Sequence, residues 1–484
     1  MSAPDRRRVW QALTAGIERY LADVDDLPAG NPISPDEVAA AVARFDFTEP
    51  LDPAYAIEIA LDALRRLQPH VRHRRHFGLF DAAPTTMGVA GDALAAAFNP
   101  CLASWAGSPF GVAAERHLVN EFGRHFGFGD ATDGILTSGG SEANVVALML
   151  ALTSRHPRHR IEGVRGLDAA PVVYHTAEAH PSVERASALA GLGTAAAHRI
   201  PVGATSRMRP AALAERIRAD RDSGLAPLLV TVTAGTTAAG VIDPIAEVAE
   251  VAREHGLWLH VDAAWGGAAA LLPELAEQFR GIELADSLTF DPHKWMSVPI
   301  GAGLLLTRHP GLLARTFQIG SSFFADDDLD SVDPSLRSPR WSRGFSGLKI
   351  LLSLAVAGWD GYRQVWRRQV ALGERLRDGL RRSGWRLVND TALPVVCFDA
   401  AGAGSELDRI ARVVNESGQA RIYRVTVGGR PALRVCVTNY DTTEADIDLV
   451  IELLDRAREE VRRHPAAAAP PLPRQASCDA RLAP

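Results

Sequence analysis

The chain is short of several things. Its 484 residues include only four cysteines, Cys101, Cys397, Cys436 and Cys478, and no two of them lie close together. That excludes a Cys-x-x-Cys zinc or redox motif and makes a disulfide-built scaffold unexpected; no metal is expected. Long apolar runs are also missing. The longest, such as Ile350 to Trp359, reach about half of the ~20 residues that span a bilayer. No apolar stretch follows the opening Met1-Ser-Ala-Pro-Asp-Arg-Arg-Arg, so no signal peptide and no membrane partner are expected, and the protein is read as cytoplasmic. Excess positive charge is absent as well. The 52 basic against 58 acidic side chains leave a net charge of −6, which gives no reason to expect nucleic acid. There is no internal repeat.

What is there belongs to a globular chain: 47% apolar and 23% charged residues, enough to bury a sizeable core in two or three domains. Residues 1–95 read mostly as helix, from apolar spacing over Val9–Leu21 and Pro53–Leu67 and from Ser34 as N-cap ahead of Pro35. Residues 96–360 alternate short apolar runs with helical patterns. Pro171–Tyr174, Pro227–Val232, Leu257–Val261, Ser287–Phe290 and Gly303–Thr307 read as buried strands, with helices at Pro210–Asp220 and Pro244–His255 between them. Such alternation predicts an α/β fold with a mainly parallel sheet. Ile319–Trp341, with Asp326-Asp-Asp, reads as a long loop, functional or disordered. A long helix over Phe345–Arg381 leads into a small α+β domain over residues 361–463, closed by a helix that Thr443 and Asp446 cap. The tail 464–484, rich in alanine and proline, is expected to be disordered.

Five short segments carry chemistry. In Phe290-Asp-Pro-His-Lys-Trp295 a lysine follows a buried strand and a tight turn. It reads equally as a surface lysine or as an amine activated to form a Schiff base. In Leu257-Trp-Leu-His-Val-Asp-Ala-Ala264 a strand ends in Asp262, where open α/β sheets bind ligands. An aspartate and a Schiff-base lysine together match a pyridoxal phosphate site. Thr137-Ser-Gly-Gly-Ser-Glu-Ala-Asn144 precedes an apolar helix, and Gly139, Gly140 and Ser141 there suit a phosphate at a helix start, or a plain glycine turn. His180 lies between a strand and a helix, and Ala234-Gly-Thr-Thr237 follows another strand.

In this order and spacing the segments resemble the group II pyridoxal-phosphate-dependent amino-acid decarboxylases, from about His76 to Tyr440. The resemblance implies a fold-type I enzyme: a large domain, a helical N-terminal segment and a small C-terminal domain. It implies that pyridoxal 5'-phosphate is held by Lys294, with Asp262 at the ring nitrogen, His180 and Ala264 on the two ring faces, and Gly140, Ser141 and Asp291 around the phosphate. Many relatives carry asparagine in place of Asp291, and two anions repel unless a proton or water intervenes. Thr237 lies near the substrate by the same resemblance, and His293 contacts substrate or phosphate. The family's intertwined homodimers imply that Ser104–Pro109 reaches the partner's site.

The expected reaction is decarboxylation of an L-amino acid to its amine and CO2. One departure points elsewhere. Decarboxylating relatives carry a loop tyrosine that protonates the substrate carbon. From Phe317 to Trp341 this chain has no tyrosine, and Phe323, or else Phe324, falls at that position. Phenylalanine cannot donate a proton. The resemblance then implies an alternative in which O2 intercepts the carbon and an aldehyde leaves. Transamination, with Arg434 for the substrate carboxylate, is the third reading. The substrate side chain is expected against Phe77, Leu79, Phe80, Asp81, Ala103 and Trp105. Most are apolar, which favours an aromatic or aliphatic amino acid, while Asp81 suits a basic one.

Overall fold

The computed structural model describes residues 1–30, 32–81, 83–319, 333–400 and 406–464. The loop phenylalanines Phe323 and Phe324, and the tail from residue 465 with Cys478, lie outside them. Four helices open the chain: α1 (Ala3–Asp23), α2 (Pro35–Ala43), α3 (Pro53–Arg66) and α4 (Thr86–Phe98). Ser34 does precede Pro35 at the start of α2. α5 (Pro109–His125) then leads to β1 (Asp133–Thr137) and α6 (Gly140–Arg155).

The large sheet continues with β2 (Pro171–Thr176), β3 (Ala197–Ile200), β4 (Ala226–Thr233), β5 (Trp258–Asp262), β6 (Ser287–Phe290) and β7 (Gly303–Thr307). Its strand order is β1-β7-β6-β5-β4-β2-β3. β7 alone runs antiparallel to its two neighbours, and the other pairings are parallel. The parallel strands β5 and β6 are buried along their whole length, as strands covered by helices on both faces must be. The fold is therefore the α/β arrangement expected.

The small sheet has the order β10-β11-β9-β8, with β8 (Arg386–Leu387), β9 (Val395–Asp399), β10 (Tyr423–Val427) and β11 (Arg430–Cys436). The helix Gly347–Arg382 ties the two cores together. Its Tyr362 and Trp366 pack into the core of the large sheet, while Leu372, Leu376 and Leu380 enter that of the small sheet. Gly358 breaks this helix with φ 61°, a left-handed backbone that glycine adopts without steric cost.

One extended segment joins the small sheet to the large domain. The N–H of Phe77 donates to the Arg421 carbonyl at 2.9 Å, and the N–H of Cys436 donates to the Phe77 carbonyl at 2.8 Å. Phe77 thereby sinks into the small core. The histidines just before it, His73 and His76, are 0% and 3% exposed. Burial pushes both rings down to about 4, and does the same to His260 on β5. Unfolded, these rings titrate near ~6.5. From about pH 6.5 down to about 4 the unfolded chain therefore binds more protons than the folded one, and the fold loses stability as pH falls. Above that window this contribution is fully present and constant. Urea titrations should show stability level above about pH 7 and falling below about 6.5, by up to ~1.4 kcal/mol per pH unit for each ring. A midpoint that stays level down to about pH 5 would contradict this reading.

Candidate active site

The C-terminal ends of β1, β2, β4, β5 and β6 converge on a cleft of about 360 Å³. This is the edge at which open α/β sheets take ligands. Each strand delivers one part of it. Gly139, Gly140 and Ser141 follow β1, His180 follows β2, Thr237 follows β4, Asp262 and Ala264 end β5, and Asp291, His293 and Lys294 follow β6; all line the cleft. β5 and β6 are neighbours, with Asp262 opposite Thr289, so the 32 residues between Asp262 and Lys294 close into one site.

The Asp262 carboxylate is 7% exposed and is held by two donors. The Ala264 N–H reaches Oδ1 at 3.1 Å, and the Asn144 amide reaches Oδ2 at 2.9 Å. A carboxylate only accepts, so the Asn144 group facing it must be its NH2. Asn144 Oδ1 then faces His260 Nε2 at 2.9 Å and the Thr289 hydroxyl at 3.0 Å, and both must donate to it. His260 Nδ1 is left bare and accepts from the Ser287 hydroxyl at 2.8 Å, while Trp258 Nε1 donates to that oxygen at 2.9 Å. Burial holds the His260 ring down at about 4, which keeps it neutral as the bonding requires. The second Asn144 proton goes to Ser182 Oγ at 2.8 Å, and Ser182 points its own proton at His180 Nδ1 at 2.8 Å. His180 thus carries its hydrogen on Nε2. Burial lowers its pKa against the opposing pull of Asp262.

Lys294 meets a different carboxylate. Its Nζ lies 3.0 Å from Asp291 Oδ2. Burial works against its charge, yet Asp291, Asp262 and Asp81 outweigh burial and hold the amine above its usual range. Asp291 also accepts the Gly140 N–H, at 3.1 Å. His293 Nδ1 donates to the Ala302 carbonyl at 2.7 Å, and its Nε2 lies 3.8 Å from Asp291 Oδ2.

The remaining wall is apolar. Phe80 stacks on Trp265 with ring centroids 4.3 Å apart, and Trp265 stacks on Trp295 at 4.8 Å. Leu79, Phe80 and Asp81 line the cleft. Asp81 makes no hydrogen bond or ion pair among the described residues. Phe77, Ala103 and Trp105 are not among the lining residues. The Ala103 carbonyl accepts from Ser335 N–H at 3.0 Å, and the Trp105 N–H donates to Asp333 at 2.8 Å. Arg434 does not line the cleft either. Its two terminal nitrogens donate to the Thr237 and Gly78 carbonyls, both at 2.6 Å, and its guanidinium lies 5.3 Å from the Phe80 ring centroid.

Sequence reasoning missed Asn144, Ser182 and Trp265. A signal for Asn144 was available: it is the polar interruption of an apolar helical run, four residues after Gly140 and so on the same helix face. The donor set fits pyridoxal phosphate. It offers an amine at a strand end, a carboxylate with fixed donors, and a helix start that carries glycine. A Cβ on Gly140 would sit 3.1 Å from Asp291 Oδ2 and 3.3 Å from the Ala264 side chain, so a side chain there would crowd both.

Known proteins agree with this geometry. The family model for the pyridoxal-dependent decarboxylase conserved domain matches residues 41–401. The chain is 29% identical over 405 residues to an aromatic-L-amino-acid decarboxylase of Bacillus atrophaeus, covering 81% of this chain and 82% of that protein. It is 27% identical over 461 residues to phenylacetaldehyde synthase of a Rosa hybrid cultivar, covering 89% of each. The crystal structure of Oryza sativa TDC with PLP and tryptamine matches with a TM-score of 0.88 at 25% identity, over 95% of this chain and 99% of that one. The chain belongs to the pyridoxal-dependent decarboxylase family and is a pyridoxal-phosphate-dependent carboxy-lyase.

Proposed function

We propose that the protein decarboxylates an L-amino acid with an aromatic or other apolar side chain, giving the amine and CO2. One observation carries this reading: Lys294 and Asp262, on adjacent parallel strands, open into one cleft whose far wall is the Phe80–Trp265 stack. Bound pyridoxal phosphate supplies an electron sink for the pair left on the α-carbon when CO2 departs.

The residues divide the remaining work. Lys294 would hold the cofactor through its aldehyde. Asp262, fixed by Asn144 and Ala264, keeps a proton on the ring nitrogen. His180 and Ala264 bracket the ring, and His180 offers an Nε2 hydrogen because Ser182 occupies its Nδ1. Gly139, Gly140 and Ser141 take the phosphate, with His293 beside them, and Thr237 stands by the substrate. Leu79 and Phe80 pack the substrate side chain. Lys294 is the sole lysine or arginine among the described lining residues, which argues against a side-chain carboxylate on the substrate. Asp81, which makes no hydrogen bond or ion pair among the described residues, favours a hydrogen-bond donor on its far end. A homodimer is part of the proposal, because Ala103 and Trp105 lie away from this chain's own cleft. Transamination loses its carboxylate receptor, since the terminal nitrogens of Arg434 are committed to backbone carbonyls.

A second reading rests on the missing loop tyrosine. With Phe323 in its place, substrate, O2 and water yield aldehyde, CO2, ammonia and hydrogen peroxide, an oxidative deamination. Phenylacetaldehyde synthase among the relatives supports keeping it.

Three outcomes follow from these roles. Lys294→Ala should lower turnover more than about 10³-fold and abolish the absorbance of covalently held cofactor. Retained turnover would sink the assignment. Asn144→Ala removes a charge-assisted hydrogen bond worth ~1.5–3 kcal/mol from Asp262, so turnover should fall about 10- to 100-fold with the fold intact. An unchanged rate would show that Ala264 alone holds the carboxylate. Mass spectrometry of products in air, with peroxide assayed in parallel, separates the two reactions. Amine without peroxide supports decarboxylation. Aldehyde with equal peroxide supports the second reading, and Phe323→Tyr should then shift the ratio toward amine.

A further inference from the structure

Asp291 is placed oddly for a residue beside a phosphate. It is 1% exposed. Its Oδ2 takes the Gly140 N–H at 3.1 Å, at the start of the 16-residue helix α6. The same oxygen takes the Lys294 ammonium at 3.0 Å. Its Oδ1 is buried with no hydrogen-bond partner. A Cβ on Gly140 would lie 3.1 Å from Oδ2, so little space separates this carboxylate from the helix start. The free N–H groups of a helix start and its positive dipole end are what an anion seeks. In this chain an internal anion already sits there.

The charges sharpen the point. Asp81, Glu142, Asp262 and Asp291 line the cleft against the single ammonium of Lys294. Glu142 is compensated by Arg340 at 2.9 Å, and Asp262 by neutral donors. Asp291 depends on Lys294. Phosphate brings further negative charge to the same helix start, where like charges at close range repel.

We propose that Asp291 is a built-in competitor for the cofactor's phosphate: it occupies the Gly140 N–H and neutralises Lys294 until the phosphate takes its place. This rests on the reading of Gly139, Gly140 and Ser141 as the phosphate cradle. The consequence is a cofactor held less tightly than the cradle alone would allow. Asparagine has the same shape but no charge, and it removes the competition.

The test separates phosphate from lysine chemistry. Pyridoxamine 5'-phosphate and pyridoxamine cannot form a Schiff base with Lys294, and they differ only in the phosphate. Both are titrated into cofactor-stripped full-length wild type, Asp291→Asn and Asp291→Ala, with calorimetry or the fluorescence of Trp265 and its neighbours as the readout. In both variants pyridoxamine 5'-phosphate should bind about 10-fold tighter or more than in wild type, while pyridoxamine changes by less than about 3-fold. The alanine variant adds no new donor, so its gain reports loss of the carboxylate alone. Unchanged or weaker binding of the phosphorylated form in both variants overturns the proposal. An equal gain for pyridoxamine also overturns it, because the effect would then not depend on phosphate. If neither wild type nor variants prefer the phosphorylated form, the cradle assignment itself falls, and the proposal with it.

Discussion

The hydrogen bond from the Asn144 amide to the Asp262 carboxylate is the contact on which the site depends. Asp262 is a buried carboxylate with no cation bonded to it among the described residues. Such a group is tolerated only where fixed dipoles replace water. Asn144 supplies one of them, and its own four hydrogen bonds leave it no freedom to turn away. The chain of donors behind it runs from Trp258 through Ser287 and His260, and every proton in it has one position consistent with the rest. A neutral, buried His260 is the hinge of that logic. Protonated, it would have to donate on both nitrogens, and the Ser287 hydroxyl would then have to turn its own proton elsewhere.

That contact also sets where α6 lies. Asn144 is one turn beyond Gly140, so pinning it against β5 and β6 fixes the helix start over the turn after β6. In the proposed assignment, the anchor for the cofactor ring and the cradle for its phosphate would be two levels of one helix face. The substrate wall has a separate origin. Phe77 is buried in the small core and its backbone bonds to that sheet, so Leu79, Phe80 and Asp81 enter the cleft as an extension of the small domain. Arg434, from β11, locks Gly78 and Phe80 to the Thr237 loop of the large domain. The lysine and carboxylate end of the cleft is therefore built on the large sheet, while the Leu79–Asp81 segment enters it from a backbone tied to the small one.

This division explains what could be read from the sequence. The buried parallel strands are continuous apolar runs and were legible to within a residue or two. β1, β3 and β10 were not picked out. β3 is four residues long, and β10 alternates half-buried and exposed positions, which resemble loop in a single sequence. Lys294, Asp262 and His180 stand at strand ends among small residues and converge where expected. Asn144 and Ser182 stayed hidden because their importance comes from each other across 38 residues, and no local pattern records such a pairing. Phe77 looked like pocket wall because it precedes Leu79 and Phe80. Its backbone bonds to Arg421 and Cys436 hold it beside the small sheet, and its ring is buried in the small core.

The partition also bears on the product. Everything needed to lose CO2 comes from rigid strand ends and a packed helix. The fate of the carbon left behind depends on which proton donor reaches it first. Within the described cleft His180 is a neutral donor with a fixed hydrogen, its Nδ1 already engaged by Ser182. Burial lowers the pKa of His180, so it disfavours the charged, more acidic form of the ring. A neutral imidazole is a poor acid. A site that relies on His180 alone would leave the carbon unprotonated for longer than one with a phenol poised above it. Under the aldehyde-forming reading, the same burial that keeps the hydrogen-bond chain in order would lengthen the time in which O2 can compete. Under that reading, the loop position of Phe323 or Phe324 and the tautomer set by Ser182 would act on one quantity, the lifetime of the decarboxylated carbon.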